Sequence, residues 1–266
     1  MVIKTSAIIL CAGIGSRMGF KEGINKCAIP INNTSAIKHT VTALIQSDIQ
    51  NIVIVIGYAS DSVKDALKTI KESDRITYAE NPYFDYHGCN YSLACASNNE
   101  KIISSHRLII AEGDSLLNPT SMQKIINSDY HTSSLIRDTS YIDYTRSVTA
   151  VGENKKIMRY EYDTAHTGLP PDLKQNESII GESMQLWSFS GNTLQHLLKL
   201  LQIYKDTALK SNTACLHSGV YSINQLGAQD NDLNIEPIES DVPDDWINLN
   251  TVDDLEKAKT VQWLLK

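Results

Sequence analysis

A run of five aliphatic residues at positions 52–56 has no polar face and leaves the chain few possible folds. A strand of this kind must be covered on both sides, as is typical of a central strand in a parallel sheet. Shorter apolar runs at 7–10 and 108–111 indicate further buried strands, and segments with helical spacing of apolar residues lie between the runs. Strand and helix therefore alternate along the first half, which predicts a doubly wound α/β sheet.

The periodicity changes after about residue 130. The second half predicts shorter strands, a helix that begins at Asn192, and a last helix that begins at a capping box formed by Thr251 and Asp254. The predicted strands lie at 133–137, 147–151, 157–162, 184–189 and 233–238. No repeat or clean linker divides the chain, so we predict one domain over residues 1–266 with an added β elaboration in its second half.

The first predicted strand runs into a glycine-containing loop, residues 11–19, with the sequence CAGIGSRMG. Gly13 and Gly15 allow a sharp turn whose N–H groups can point at an anion, and Arg17 adds a positively charged guanidinium. Lys26 follows and can reach a second phosphate oxygen as a mobile charge. Ligands of such sheets usually bind beyond the carboxyl ends of the strands, and the glycine loop lies at this edge.

Three interpretations of this loop compete. It can be an ordinary tight turn, or a dinucleotide fingerprint, which requires a third glycine where Met18 stands. It can also be a nucleoside-triphosphate loop, although not of the Walker type, because no Gly-Lys-Ser/Thr closes it. We favour the triphosphate interpretation, since it explains Arg17 and Lys26 as well as the glycines.

Charge and cysteine content restrict the partners and the compartment. The chain of 266 residues has a net charge of −7, so we expect no nucleic acid or acidic membrane face as a partner, and a phosphate must be held by a local positive cluster. Five cysteines without metal-binding spacing suit a reducing compartment. No signal-peptide layout occurs in the first twenty residues, and no apolar run approaches the ~18 residues of a membrane span, so we expect a cytoplasmic location.

Residues 6–26 resemble the N-terminal signature of nucleotidyltransferases that activate sugar phosphates and small phosphorylated alcohols. That signature is a strand, then Leu-x-Ala-Gly-x-Gly-x-Arg-Met/Leu-Gly, then a lysine usually preceded by proline. This chain departs from it at Cys11 and Asn25. The resemblance implies a single Rossmann-like three-layer domain with a mostly parallel mixed sheet, a nucleotide-binding half (1–130) and an acceptor-binding half (131–266). It also implies nucleotide contacts at Leu10, Ala12, Gly13, Gly15 and Ser16.

Two candidate ligands for Mg²⁺ lie far apart in the sequence. Asp114 follows the fourth predicted strand, and a carboxylate there suits Mg²⁺, although position alone leaves a turn-capping acid equally open. The resemblance favours the metal, because the family carries a metal-binding aspartate after this strand. Residues 244–251 resemble the closing motif of the family and place Asn250 in the position of the second ligand. Asparagine is also a favoured helix cap, and the two roles can coexist.

The segment 90–93, Asn-Tyr-Ser-Leu, is similar to a segment of cytidylyltransferases that activate phosphocholine and phosphonates. In the wider family this segment contacts the base edge, so the resemblance implies that Asn90 and Ser92 contact the base. We expect the Ser92 hydroxyl to face outward from the start of a helix. The alternative interpretation is a capped surface helix without a ligand.

Aromatic residues in the second half suggest an acceptor site. Tyr144, Tyr160 and Trp187 could form a cage for a quaternary ammonium group, and Glu182 could pair with a cationic acceptor. The alternative is ordinary packing, which is the more common role of tyrosines on short strands.

The resemblance implies transfer of CMP from CTP to a small phosphorylated alcohol or phosphonate, with Mg²⁺ as cofactor and pyrophosphate as the second product. The acceptor phosphate is largely ionised at neutral pH, since its second pKa is ~6, so no general base is required. Arg17 and Lys26 would hold the leaving pyrophosphate. The rival functions are a sugar-1-phosphate transferase that uses UTP or dTTP, a non-catalytic nucleotide-binding regulator and, third, a nicotinamide oxidoreductase. The acceptor and the oligomeric state stay open.

Overall fold

The structure, a computed structural model, describes residues 4–15, 23–86, 88–211, 223–224, 235–240 and 245–264. Its strands are β1 Thr5–Cys11, β2 Asn51–Ile56, β3 Ile76–Glu80, β4 Arg107–Glu112, β5 Ser115–Leu117, β6 Thr132–Arg137, β7 Val148–Glu153, β8 Lys156–Tyr162, β9 Ser178–Ser190, β10 Glu236–Glu239 and β11 Trp246–Asn248. Its helices are α1 Ala36–Gln46, α2 Ser60–Leu67, α3 Cys89–Ser97, α4 Glu100–Ile103, α5 Pro119–Ile126, α6 Gly191–Ser211 and α7 Val252–Thr260.

Within the described residues, nine strands form one mixed sheet whose main path is β10-β6-β9-β4-β1-β2-β3. Strands β1 to β4 pair in parallel, with β1 between β2 and β4, whereas β9 runs antiparallel to β4 and β6. The hairpin of β7 and β8 pairs with the other end of β9 and extends the sheet in the second half. The short strands β5 and β11 form a separate antiparallel pair. This mostly parallel mixed sheet with a β elaboration confirms the predicted fold class.

Two hydrophobic cores lie on the two faces of the sheet. Ile8 and Leu10 of β1 belong to the core that contains α3 and α6, and Ala7 and Ile9 belong to the core that contains α1, α2 and α5. The alternation follows from the pleat, which points successive side chains to opposite faces. The aliphatic run at 52–56 is buried throughout, as predicted. The result is a three-layer arrangement of helices, sheet and helices.

Element boundaries differ from the prediction mainly in the second half. The strand predicted at 184–189 extends over Ser178–Ser190, because one end pairs with β4 and β6 while the other end pairs with β7. The strand predicted at 233–238 is observed as Glu236–Glu239, and residues 233 and 234 lie outside the described residues. The predicted capping box is confirmed, since Thr251 and Asp254 exchange hydrogen bonds at the start of α7.

In the described part of the chain, every helix is too short or too polar to cross a lipid bilayer.

Candidate active site

The candidate site lies at the edge of the sheet where β1, β2 and β4 end. Leu10 pairs with Glu112 and Cys11 pairs with Ile56, so the loops that follow these three strands start side by side. The Gly113 amide donates to the Leu10 carbonyl oxygen at 2.9 Å, and the Tyr58 amide donates to the Ala12 carbonyl oxygen at 3.0 Å. The glycine loop therefore lies between the loops that follow β2 and β4.

The described part of the glycine loop, residues 12–15, is open on one side. Gly15 has a φ of +67°, a backbone conformation that favours glycine. Gly13 is exposed, and a Cβ built there would meet no atom within 4 Å. Ser16 and Arg17 lie outside the described residues, so their predicted contacts with the nucleotide stay predictions.

Lys26 packs against the glycine loop and pairs with Asp114. Its Nζ forms an ion pair with Asp114 Oδ2, and its aliphatic chain lies 3.1–3.3 Å from the position of a Cβ on Gly15. Burial alone would lower the pKa of Lys26, but the Asp114 carboxylate outweighs it and raises this pKa above its ordinary value. The structure thus brings the predicted pyrophosphate lysine and the predicted metal ligand into direct contact, with Lys26 fully charged.

The segment that contains Asn250 lies beside Asp114. The Leu249 amide donates to the Asp114 carbonyl oxygen at 3.0 Å, and β11 pairs with β5 immediately before this contact. The Asn250 amide donates to Asp254 Oδ2 at 3.0 Å, so the capping box of α7 fixes its backbone. Two positions far apart in sequence therefore meet at the same edge.

The donor set fits Mg²⁺. Asp114 offers a carboxylate and Asn250 an amide oxygen, and Mg²⁺ is usually held by one or two protein oxygens together with substrate phosphates. Burial, followed by repulsion from Asp114 and opposed by Lys26, raises the pKa of Glu112 to about 8, which makes Glu112 the poorer anionic ligand at neutral pH. No cluster of three or more His, Cys, Asp or Glu side chains suited to a metal occurs among the residues that the structure describes.

The predicted outward orientation of Ser92 is wrong. Ser92 lies on the buried face of α3, is 5% exposed, and accepts a hydrogen bond from Asn81 Nδ2 at 3.0 Å. Asn90 is fully buried. Both side chains face inward because α3 packs into the core beside α6. Neither side chain is presented to a base in this conformation.

The predicted aromatic cage is also wrong in two of its members. Tyr160 and Trp187 are each 1% exposed and pack edge to face, with ring centroids 6.1 Å apart. Burial raises the pKa of Tyr160, as expected for a phenol in the core. Alternation along β8 and β9 points these rings to the core face of the sheet. They support the acceptor half but do not contact an acceptor.

Glu182 and Tyr144 border cavities, with different consequences. Glu182 is 3% exposed, and its carboxylate accepts hydrogen bonds from Arg137 Nε and Ser147 Oγ. Arg137 and Ser147 thus already engage the Glu182 carboxylate in this structure, and the pairing of Glu182 with a cationic acceptor stays a prediction. Tyr144 lines a cavity of about 620 Å³ and keeps its predicted role as a candidate acceptor contact.

That cavity was missed in the sequence. Besides Tyr144, side chains of β7, β8 and the following loop line it, among them Thr149, Arg159, Glu161 and Tyr162. Ser147 borders both this cavity and a smaller one of about 80 Å³, which Asn250 also lines. The smaller cavity therefore lies beside the larger one and is lined by the predicted metal ligand Asn250. No sequence signal pointed to them, because they form between strands whose pairing the pattern does not show.

Arg159 holds the loop that covers the larger cavity. Its Nη2 donates to the Asp172 carbonyl oxygen and to Glu177 Oε2, each at 2.8 Å. The hydrogen bond from Arg159, followed by the bond from the Lys174 backbone N–H, lowers the pKa of Glu177 to about 2. The wall of the cavity formed by residues 169–174 is thus tied to β8 by a charge-assisted pair.

We expect Gly113→Ala to destabilise the protein by about 2–3 kcal/mol, because a Cβ there would overpack the site. That atom would lie 2.3 Å from Cys11 Sγ and 2.6 Å from the Leu10 carbonyl oxygen. Gly13→Ala is the matched control and should change the free energy of unfolding by less than ~0.5 kcal/mol, since its Cβ would meet no atom within 4 Å. Urea unfolding measures both. Equal stability of the two variants would contradict the close packing of Gly113 against Cys11 and Leu10.

The chain is similar to a protein family and to several known proteins. Residues 27–262 match the family described as "Domain of unknown function (DUF6564)". The bifunctional protein GlmU of Limosilactobacillus fermentum is 41% identical over 78 residues, which are 29% of this chain and 16% of that protein. The CTP:phosphoglutamine cytidylyltransferase of Campylobacter jejuni is 30% identical over 126 residues, 46% of this chain and 49% of that protein.

A solved structure agrees over nearly the whole chain. The inositol-1-phosphate CTP transferase from T. maritima superposes with a TM-score of 0.69 at 15% sequence identity, covering 97% of each chain. The fold is therefore that of nucleotidyltransferases, which confirms the resemblance seen at the N-terminus. The matched segments span less than half of either sequence relative.

Proposed function

The chain belongs to the family described as a domain of unknown function (DUF6564), and we propose that it transfers CMP from CTP to a small phosphorylated or phosphonate acceptor, releasing pyrophosphate. The observation that carries the proposal is the contact of Lys26 with Asp114 directly below the open glycine loop. A mobile cation and an anionic metal ligand at the same loop are the two groups needed to hold a triphosphate and neutralise its charge.

The described residues divide the task between them. The N–H groups of the glycine loop bind phosphate oxygens, and Lys26 leaves Asp114 to hold the pyrophosphate that departs. Arg17 would add a second positive group there. Catalysis then consists of holding the reacting groups in line and neutralising charge, and it needs no nucleophilic side chain.

Asp114 and Asn250 would hold Mg²⁺, which when bound neutralises negative charge on the phosphates. Asp114 is 7% exposed and Asn250 is half-buried, so both residues are partly shielded from bulk water. Shielding of this kind strengthens the interaction of a carboxylate with a cation.

The acceptor is proposed to enter from the acceptor half. The cavity lined by Tyr144 gives room for a small molecule, and the smaller cavity beside it is lined by Asn250, with Ser147 bordering both. An acceptor phosphate oxygen is ionised at neutral pH and can attack the α-phosphorus of the nucleotide without a general base. Phosphocholine, phosphoethanolamine, 2-aminoethylphosphonate and phosphoglutamine are the acceptors to test, the last because a relative carries it in its name.

A matrix of nucleotides and acceptors tests the proposal. Pyrophosphate release is measured with CTP, UTP, dTTP, ATP and GTP, each with Mg²⁺, in combination with these four acceptors and glucose 1-phosphate. We expect release that depends on an acceptor and is at least ~10-fold faster with CTP than with the other nucleotides. Faster release with UTP or dTTP and glucose 1-phosphate would replace the proposal with a sugar-1-phosphate transferase. Binding of CTP without turnover of any acceptor would favour a non-catalytic nucleotide-binding protein.

A further inference from the structure

Asn25 occupies the position at which the nucleotidyltransferase signature usually has proline, and it is fully buried beneath the glycine loop. Its side-chain Nδ2 donates to the Cys11 carbonyl oxygen at 2.8 Å and to the Tyr58 carbonyl oxygen at 2.9 Å, with a longer contact of 3.4 Å to Gly13. One amide group thus contacts the end of β1, the glycine loop and the loop that follows β2.

The same side chain also begins the turn that carries Lys26. Asn25 Oδ1 accepts a hydrogen bond from the Cys27 amide at 3.0 Å and caps the short 3₁₀ helix Lys26–Ala28. The backbone N–H of Asn25 donates a hydrogen bond to Ser62 Oγ at 2.9 Å, which ties this turn to α2. Proline could form none of these side-chain bonds. The departure from the signature at Asn25 therefore adds hydrogen bonds that a proline at this position would lack.

The orientation of the Gly13 carbonyl determines which side of the loop the next N–H faces. Because a trans peptide is planar, a carbonyl oxygen that points toward Asn25 places the N–H of the next residue on the opposite side. The next residue is Ile14, which is 44% exposed. Its N–H has no hydrogen-bond partner among the residues that the structure describes. A free N–H at this exposed position is available to an anion.

We propose that Asn25 is the positioning residue of the phosphate site. Its side-chain amide holds the loop carbonyl oxygens inward, so that loop N–H groups face the pyrophosphate portion of the nucleotide. Its side-chain oxygen also fixes the turn that presents Lys26. This proposal rests on the proposed function. Asn25 acts through the loop and through Lys26, and it does not touch the nucleotide itself. The ligand class is an inorganic or nucleotide-borne pyrophosphate.

The variant Asn25→Pro removes the side-chain amide of Asn25 while it allows the backbone to keep its conformation. Asn25 has a φ of −71°, which is close to the value that proline imposes, so the turn can keep its shape. The variant loses the side-chain bonds and the bond to Ser62. Ser62→Ala is the matched control, because it removes the bond from the Asn25 backbone N–H to the Ser62 hydroxyl, together with the bond from that hydroxyl to the Ala59 carbonyl oxygen, and leaves the Asn25 side chain intact. With inorganic pyrophosphate and Mg²⁺ as the probe in calorimetry, we expect roughly tenfold weaker binding by Asn25→Pro and near wild-type binding by Ser62→Ala.

Asn25→Asp tests the donor role through pH. The aspartate keeps the shape and the acceptor oxygen, but its ionised form faces the Cys11 and Tyr58 carbonyl oxygens without a proton. Protonation restores one donor. We therefore expect the ratio of wild-type to variant pyrophosphate affinity to be largest near pH 8 and to fall toward one as the pH is lowered. A purely structural role would change thermal stability without this pH-dependent recovery of affinity.

The outcomes distinguish this proposal from the function on which it rests. If the wild-type protein binds neither pyrophosphate nor CTP, the proposed function fails and the role of Asn25 fails with it. If the wild-type protein binds pyrophosphate and a folded Asn25→Pro variant binds it within twofold of that affinity, only the role of Asn25 is overturned. A ratio for Asn25→Asp that does not change with pH would also overturn it.

Discussion

Replacement of Lys26 by methionine is expected to lower kcat/KM for nucleotidyl transfer by ~100- to 1,000-fold, the range for loss of one preorganised electrostatic contact to the reacting groups. Methionine is unbranched and one atom shorter, and it keeps the part of the side chain that packs against Gly15, so the loop should stay in place. The positive charge that would hold the departing pyrophosphate is lost. Steady-state kinetics with CTP and the best acceptor measure the effect.

The chain offers a matched control for this substitution. Lys68 and Asp65 also form a lysine–aspartate pair, at 2.6 Å, but both side chains are well exposed on the surface beside α2. Lys68→Met should leave kcat/KM unchanged within twofold. Because Lys26→Met leaves the Asp114 carboxylate without its partner, thermal unfolding of both variants shows how much of the loss is due to stability. Wild-type kcat/KM for a folded Lys26→Met variant would remove Lys26 from the site.

Asp114→Asn is expected to lower kcat by at least ~100-fold and to raise the metal concentration needed for half-maximal activity. The substitution keeps the shape of the side chain but removes the negative charge that a divalent cation requires. Binding of Mn²⁺ in the presence of CTP, followed by electron paramagnetic resonance, measures the metal site independently of turnover. We expect at least ~10-fold weaker Mn²⁺ binding by this variant.

Asp65→Asn is the control for Asp114→Asn and should leave Mn²⁺ binding unchanged. The double variant Lys26→Met/Asp114→Asn adds a further test, because residues in direct contact that serve one step show non-additive effects. We expect the double variant to lose less activity than the product of the two single losses. Unchanged Mn²⁺ binding by Asp114→Asn would contradict its assignment as a metal ligand.

The parts of the fold that the sequence predicts well are those in which one local pattern leaves a single solution. The run at 52–56 has no polar face, so it had to become a central strand covered by helices on both sides. The ends of β1 and β4 then meet at one edge, because neighbouring parallel strands end together, and this brings Lys26 and Asp114 into contact. Thr251 and Asp254 predicted the start of α7 because a capping box is a local hydrogen-bond pattern.

The second half could not be predicted at the level of side chains. Whether Tyr160 and Trp187 face the core or a ligand depends on which face of β8 and β9 is covered, and that follows from strand pairing rather than from local sequence. The motif predicts an outward Ser92, but a motif shows only which residues are present and not which side of a helix packs. The roles of Arg137 and Arg159, which engage Glu182 and Glu177, likewise arise only from pairs of distant residues.

Asn25 shows the same limit within the best-predicted segment. In the sequence it is only a substitution for an expected proline before Lys26. Its hydrogen bonds to Cys11 and Tyr58 depend on how the loops after β1 and β2 approach each other, which no local pattern specifies.

The fate of the individual phosphates of CTP distinguishes nucleotidyl transfer from phosphoryl transfer. The protein is incubated with Mg²⁺, the four candidate acceptors, and CTP labelled with ³²P at either the α- or the γ-phosphate. Nucleotidyl transfer predicts that the α-label enters a product containing the acceptor and that the γ-label leaves entirely as pyrophosphate, with both signals lost in Asp114→Asn. Recovery of the γ-label as inorganic phosphate or in the acceptor, with the α-label remaining in CDP, would contradict it.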